Sequence, residues 1–140
     1  MTDIKSKWEQ LLRKAREGKK PRKPANDEEH RIQTACVQWF RYEHQQLRAN
    51  LFAIPNGGRR DKTTGAKLKE EGVLAGVADL ILLYPSGEYH ALLIEMKTST
   101  GKQSAEQKKW QQLIEPYGYK YVVCRSLGEF ITAVNDYLLI

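Results

Sequence analysis

Two apolar stretches of the sequence carry charge at positions where a buried strand is expected to be apolar. Asp79 lies within the run 76–83, and Glu95 and Lys97 close the run 91–97. Unbroken runs of Leu, Ile and Val predict strands that are buried on both faces. Two buried carboxylates repel each other and are costly unless a cation compensates their charge. We therefore predict that Asp79 and Glu95 are ligands of a divalent cation, and that Lys97 acts on a phosphate or an attacking water.

The expected strand pairing brings these three side chains together. Side chains two residues apart on a strand point to the same face, so Glu95 and Lys97 share one side. A short turn connects the strands predicted over residues 77–84 and 89–97, which favours an antiparallel hairpin with Asp79 within reach of Glu95. The alternative interpretation places Asp79 in a turn, and Glu95 and Lys97 at a frayed strand end.

A helix upstream is predicted to contribute Glu29 and Gln33. Asn26 and Glu29 form a capping-box pattern that opens a helix ending near Gln46. At about 100° per residue, Glu29 falls in the middle of the apolar stripe of this helix, and Gln33 follows one turn later. Glu29 is therefore expected to cap the helix, to face the site, or to do both.

Gln107 is predicted to reach the same site from a second helix. Ser104 and Gln107 form another capping-box pattern. Gln107 also shares a helix face with Trp110 and Ile114, which would bring its side chain inward. The alternative is that Gln107 serves the helix cap alone.

A cluster of basic residues precedes the Asp79 strand, in a glycine-flanked segment with one short helix predicted from Thr63 to Glu71. Positive charge near the entrance of this strand suits contacts to nucleic-acid phosphates, which position a backbone without reading its sequence. The alternative is a solvated surface loop that is rich in Lys. The residues concerned are Arg59, Arg60, Lys62, Lys67 and Lys69.

The formal net charge of +6 resides in an N-terminal arm. Residues 1–25 contain nine Lys or Arg and three Asp or Glu, whereas residues 26–140 contain fourteen of each. Apolar residues recur at helical spacing over residues 3–17, and a linker rich in Lys, Arg and Pro follows. We predict a basic helical arm and linker over 1–25, and a single domain over 26–140. The arm suits nucleic acid, and the alternative is a solvated tail.

Several other classes of protein are disfavoured by the composition. No run approaches the length of a transmembrane helix and the polar N-terminus is unlike a signal peptide, so we expect a cytoplasmic protein with no membrane partner. Cys36 and Cys124 form no CxxC pair and are expected to be buried thiols in a reducing compartment. The three histidines lack the spacing of a zinc site. No small-molecule organic cofactor is expected.

The predicted elements follow one another as helix, strand, strand, strand, helix, strand, helix. The strands are expected at residues 51–54, 77–84, 89–97 and 119–124. This order predicts an α/β fold in which helices flank a central mixed β-sheet.

Six motifs occur in order along the chain: Glu29-x-x-x-Gln33, Pro55-Asn56-Gly57-Gly58-x-Arg60, Leu68-Lys69-x-x-Gly72, Gly76-Val77-Ala78-Asp79-Leu80, Glu95-Met96-Lys97 and Ser104-x-x-Gln107-x-x-Trp110. Together they resemble the VRR-NUC nucleases of the PD-(D/E)XK, restriction-endonuclease-like superfamily. The likeness is strongest to small stand-alone members from phages and bacteria, and it covers roughly residues 28–138. One departure is Ala78, where the family often has a proline that shapes the backbone and supplies no ligand.

The resemblance implies a restriction-endonuclease-like core and a metal-dependent phosphodiesterase. It implies that Asp79, Glu95 and the backbone carbonyl of Met96 bind Mg²⁺ or Mn²⁺. Lys97 would orient or activate the water and steady the pentacovalent phosphate. Charge neutralisation by the cation and by Lys97 is the main requirement of this chemistry, because a phosphodiester is anionic.

The resemblance also assigns roles to the helical residues. Glu29 would complete the acidic cluster, directly or through water, with Gln33 beside it. Gln107 would hydrogen-bond the water, the phosphate or Lys97.

The substrate implied by the resemblance is DNA, and stand-alone relatives suggest four-way (Holliday) junctions or other branched DNA. They also suggest a homodimer, because two coordinated nicks require two sites. The alternatives are a nuclease acting on flaps, duplex ends or RNA, and a nucleic-acid-binding module that has lost catalysis. Sequence-specific cleavage is least favoured, because no base-reading motif occurs.

Overall fold

A computed structural model describes residues 9–10, 24–55 and 62–140 of the chain. Residues 9–10, within the predicted arm, are helical and exposed. The predicted phosphate contacts Arg59 and Arg60 lie outside the described residues.

The described part of the chain follows the predicted order of elements, and the short helix of the basic segment lies between the first two strands. The elements are α1 (Pro24–Glu43), β1 (Leu51–Ala53), α2 (Lys62–Glu70), β2 (Leu80–Leu82), β3 (Ala91–Met96), α3 (Ala105–Ile114), β4 (Tyr119–Cys124) and α4 (Leu127–Leu138). Short 3₁₀ helices occupy Gln45–Asn50 and Glu115–Tyr117. None of these helices is long and apolar enough to span a membrane.

The strands form one mixed sheet in the order β1-β2-β3-β4. The β1–β2 and β2–β3 pairs are antiparallel, and the β3–β4 pair is parallel. The β2–β3 pairing is the predicted hairpin. All residues of β3 are buried, as its unbroken apolar run predicts. The predicted class, α/β with a mixed sheet flanked by helices, is confirmed.

Each face of the sheet packs against different helices. One face contributes to a large apolar cluster with α1 and α4, which includes Phe40 and Phe130. On the other face a smaller cluster around Leu93 packs against Trp110 of α3. Because side chains alternate along a strand, Glu95 shares the α3 face with Leu93.

The two cysteines are free and buried, as predicted. Both belong to the cluster between the sheet, α1 and α4. Burial raises the pKa of the Cys36 thiol to about 12 and that of Cys124 to about 11. Reactive cysteines need an accessible thiolate, so these two side chains serve packing.

Strand β2 is shorter than the sequence predicts. It covers Leu80–Leu82 rather than 77–84, so Asp79 immediately precedes the strand. Its neighbour β1 offers only three residues for pairing, and Pro55, which has no backbone N–H, follows closely. Beyond the pairing, Leu83 is 54% exposed.

Helix α1 begins earlier than the sequence predicts. It starts at Pro24, two residues before the predicted cap at Asn26, and it ends at Glu43 rather than near Gln46. Proline is favoured in the first turn of a helix because its fixed φ suits the helix and its missing N–H is not needed there. The predicted capping role of Asn26 is therefore wrong, and the capping explanation of Glu29 is removed with it.

Gly76 allows α3 to pack closely against the segment that leads to Asp79. Its φ of 88° is one that L side chains rarely adopt. A Cβ at this position would lie 2.6 Å from the carbonyl oxygen of Glu106 and 3.2 Å from the backbone nitrogen of Gln107. The absence of a side chain at Gly76 therefore sets how closely the first turn of α3 approaches.

We expect Gly76→Ala to lower the free energy of unfolding. The left-handed conformation alone costs an L residue about 1–2 kcal/mol, and the clash with the α3 backbone adds to that cost. Gly87→Ala is the matched control, because Gly87 has a φ of 57° and nothing within 4 Å of an added Cβ. Urea unfolding should show the larger loss for Gly76→Ala. Equal losses for the two variants would contradict a role for the close approach.

Candidate functional site

Asp79 and Glu95 lie side by side where β2 begins and β3 ends. Continuing the β2–β3 register by one residue places Asp79 opposite Glu95. The backbone carbonyl of Asp79 accepts a hydrogen bond from the backbone N–H of Ile54 at 2.8 Å. Its Oδ2 accepts one from the backbone N–H of Met96 at 2.7 Å. Asp79 is thus fixed from both neighbouring strands although it is outside the regular part of β2.

The carboxylate of Glu95 is 1% exposed, and each of its oxygens has a donor. Oε1 accepts a hydrogen bond from Nε2 of Gln107 at 2.9 Å and lies 3.9 Å from Nζ of Lys97. Oε2 accepts a hydrogen bond from the hydroxyl of Tyr121 at 3.1 Å. The side chain of Lys97 is itself 14% exposed, so this ion pair is largely shielded from water.

The electrostatics of the site reflect crowded negative charge. Burial, reinforced by the neighbouring Asp79, raises the pKa of Glu95 to about 8, and Lys97 and Tyr121 oppose this shift. Burial also raises the pKa of Glu29, and here too Asp79 raises it further while Lys97 lowers it. When all three carboxyl groups are ionised, the single ammonium of Lys97 does not balance their charge, so ionisation of the site favours an additional positive charge.

Gln107 serves the helix cap and the site at once. Its backbone N–H donates to Oγ of Ser104 at 3.1 Å, and its Oε1 accepts from the backbone N–H of Ser104 at 2.8 Å. This is the predicted capping box. The remaining amide group, Nε2, donates to Glu95. The two alternatives drawn from the sequence are therefore compatible, because the cap uses the amide oxygen and the site uses the amide nitrogen.

Glu29 on α1 lies within the electrostatic influence of the site, whereas no described contact links Gln33 to it. The Glu29 carboxyl is half-buried, and the charges of Asp79 and Lys97 both act on its pKa. Gln33 is half-buried one turn later, and its side chain forms no hydrogen bond with the residues that the structure describes.

The segment between β3 and α3 is fixed by Arg125, directly after β4. Nη1 of Arg125 donates to the carbonyl oxygen of Thr98 at 2.7 Å and also to that of Gly101. The hydroxyl of Thr98 accepts from the backbone N–H of Gly101 at 3.0 Å. These contacts hold the connection that joins Lys97 to Gln107.

The basic residues proposed to contact phosphate are only partly described. Lys67 and Lys69 are exposed in the last turn of α2. Lys62 begins α2, and its side chain is outside the described part of the chain. For all five basic residues, contact with DNA stays a prediction.

Two residues near Glu95 were not identified from the sequence. Tyr121 donates to Glu95, and Gln103 lies 3.3 Å from the Tyr121 hydroxyl. In the parallel register Tyr121 pairs with Leu93, so it shares the face of Glu95. A strand residue of this kind carries no motif, and only the pairing of β3 with β4 brings it to the site.

Residues 27–127 match the model of the VRR-NUC domain family, from the first turn of α1 to the start of α4. The chain belongs to the VRR-NUC family. This is a nuclease-type family, and the matched segment contains every site residue considered above.

Comparison with solved structures agrees with the family match. The VRR-NUC chain is similar to a structure described as a VRR_NUC domain protein, with 27% sequence identity and a TM-score of 0.70. The similarity covers 79% of this chain and 88% of the other. A search among curated proteins gives no match.

The raised pKa of Glu95 makes the folding stability of the metal-free VRR-NUC domain depend on pH. In the unfolded chain the carboxyl ionises near its ordinary pKa of 4.5, but in the folded chain it ionises only near 8. Between these values the folded state keeps a proton that the unfolded state has lost, so the free energy of unfolding falls as the pH rises.

We therefore expect Glu95→Gln to gain stability relative to wild type from pH 5 to pH 8, in the presence of EDTA. The gain should be on the order of a few kcal/mol, because each unit of pKa shift corresponds to about 1.4 kcal/mol. Urea unfolding at several pH values measures it. The pH dependence of the difference is diagnostic, because the substitution also alters hydrogen bonds to Gln107 and Tyr121. A difference that is constant with pH would contradict the raised pKa.

Proposed function

We propose that this VRR-NUC domain is a metal-dependent endonuclease that hydrolyses phosphodiester bonds in DNA. The observation that carries the proposal is the contact of Asp79 with the buried Glu95, beside Lys97. Enzymatic hydrolysis of a phosphodiester is favoured by positive groups, such as a metal cation and an ammonium, that neutralise negative charge beside a positioned water. The two acids and Lys97 supply the protein's part of that requirement.

The donor set fits Mg²⁺ or Mn²⁺. Hard cations prefer carboxylate oxygens, and Mg²⁺ is commonly held by one or two carboxylates, with waters and substrate phosphate completing its shell. Among the described residues, no group of three or more His, Cys, Asp or Glu side chains could hold an ion unaided. Asp79 and Glu95 would therefore be joined by the Met96 carbonyl, water and substrate. The cation would supply a more acidic water and would neutralise charge on the phosphate.

The remaining residues would orient and balance this site. Lys97 would stabilise the charge that develops on the phosphate and would orient the water. Gln107 would hold the Glu95 carboxylate, and hydrogen bonds to metal ligands of this kind usually fix their orientation. Glu29 would join the acidic cluster through water, with Gln33 in support on the same helix.

For the substrate, we propose branched DNA such as a four-way junction. The exposed Lys67 and Lys69 precede Asp79 in the chain and suit phosphate contacts that carry no sequence information. Coordinated cutting of a junction would require a homodimer with two sites. Flaps, duplex ends and RNA are the alternative substrates, and cleavage of each with Mg²⁺ or Mn²⁺, compared with junction DNA, distinguishes them.

We expect Lys97→Ala to lower the cleavage rate at least about 100-fold, because it removes a charge that acts on the transition state. DNA affinity should change little, because the basic residues outside the site are intact. Lys120→Ala is the matched control, since the Lys120 ammonium lies over the ring of Tyr89, 5.4 Å from its centroid. Rates are measured on the preferred substrate with Mg²⁺ or Mn²⁺. A Lys97→Ala variant that cuts at the wild-type rate would exclude the assigned role.

We expect Lys67→Ala and Lys69→Ala each to weaken DNA binding uniformly across sequences. Each should reduce the slope of log affinity against log salt by about one, because one fewer counterion is released. Fluorescence anisotropy over a salt series measures this slope. Lys120→Ala should leave it unchanged. If the α2 variants give the wild-type slope, α2 does not contact the phosphates.

A further inference from the structure

The hydroxyl of Tyr121 belongs to a chain of hydrogen bonds that runs from Glu95 to the exposed side of α3. Tyr121 donates to Oε2 of Glu95 at 3.1 Å. Nε2 of Gln103 lies 3.3 Å from the Tyr121 oxygen and 3.0 Å from Oε1 of Gln111. Nε2 of Gln111 in turn donates to the carboxylate of Glu115. The chain therefore connects the buried acid to a surface acid through three neutral side chains.

The carboxylate of Glu115, at the exposed end of this chain, fixes the direction of the hydrogen bonds along it. The carboxylate of Glu115 can only accept, so Gln111 must present its amide nitrogen to Glu115 and its oxygen to Gln103. Gln103 must then present its amide nitrogen, which donates to the Tyr121 oxygen as well. The single hydroxyl proton of Tyr121 is thereby left for Glu95.

We propose that Tyr121 is a positioning residue that orients Glu95 for metal binding, and that Gln103 directs its hydroxyl. The inference rests on the proposed function, because it takes Glu95 to be a metal ligand. It goes beyond that function by assigning a role to a residue of β4.

The surroundings of Tyr121 make it a rigid donor. Its side chain is buried, and its ring lies 6.1 Å from that of Trp110, centroid to centroid. A glutamate carboxylate otherwise rotates freely about its last torsion. Gln107 from α3 and Tyr121 from β4 hold its two oxygens separately, which restricts that rotation. Partners of this kind typically contribute about 10–100-fold to metal affinity.

Mn²⁺ binding to the full chain tests the proposal. Tyr121→Phe keeps the ring and removes the hydroxyl, and it should weaken Mn²⁺ binding about 10–100-fold by calorimetry. Cleavage measured against Mn²⁺ concentration should shift to higher Mn²⁺ by a similar factor. The rate at saturating Mn²⁺ should stay near that of wild type, because a positioning residue does not touch the reacting atoms.

Tyr119→Phe is the matched control. Tyr119 lies on the same strand and face, and its hydroxyl forms no hydrogen bond with the residues that the structure describes. The Tyr119→Phe variant should bind Mn²⁺ with the affinity of wild type. Gln103→Glu provides a second test that keeps the hydroxyl. The carboxylate of this variant would accept a hydrogen bond from the Tyr121 hydroxyl and turn that hydroxyl away from Glu95. Mn²⁺ binding should therefore weaken, although the added negative charge favours a cation.

The outcomes separate this inference from the proposed function. Wild type that binds no Mn²⁺ would overturn both. Wild-type affinity in Tyr121→Phe would overturn the inference alone. A lower maximal rate with unchanged Mn²⁺ affinity would also overturn it, because Tyr121 would then act in the chemistry. If Tyr121→Phe does not fold, Gln103→Glu decides, and binding as tight as wild type or tighter overturns the inference.

Discussion

The carboxylate of Glu95 is almost completely removed from water while it lies beside a second acid, Asp79. An arrangement of this kind is costly unless donors or a cation offset it. The donors come from three parts of the fold: Lys97 directly follows β3, Gln107 lies in the first turn of α3, and Tyr121 lies on β4. The fold around the site can be understood as the set of elements that keep these donors in place. The negative charge that these donors do not offset gives the site an affinity for positive charge.

The two faces of the sheet differ in what they hold: one has the larger apolar core and the other has the candidate site. The face covered by α1 and α4 is apolar throughout its cluster and contains the largest buried side chains, such as Phe40 and Phe130. The α3 face has a smaller cluster and carries the polar network. A protein can tolerate a destabilising site when burial elsewhere is sufficient, and this separation allows substitutions near Glu95 without disturbance of the larger core.

The sequence predicted the elements whose signals are local. The apolar run of β3 and the serine cap of α3 are of this kind, since Ser104 caps that helix in the structure. The bounds of β2 were not predictable, because they depend on the length of its neighbour β1. Tyr121 was missed because its role arises from the parallel pairing of β4 with β3. The capping box predicted for Asn26 and Glu29 was wrong because the helix begins upstream at Pro24, a residue type favoured in the first turn.

The parallel pairing of β3 and β4 has a geometric consequence for the site. Parallel neighbours cannot be joined by a tight turn, so the chain must leave the end of β3, cross the sheet through a helix, and re-enter at the opposite edge. Lys97 is the point of departure, and Gln107 lies in the first turn of the crossing helix. Their proximity is therefore a product of topology. The start of that helix also lies beside Glu95, because Gln107 in its first turn donates a hydrogen bond to that side chain. The partial positive charge of a helix N-terminus favours negative charge at such a position.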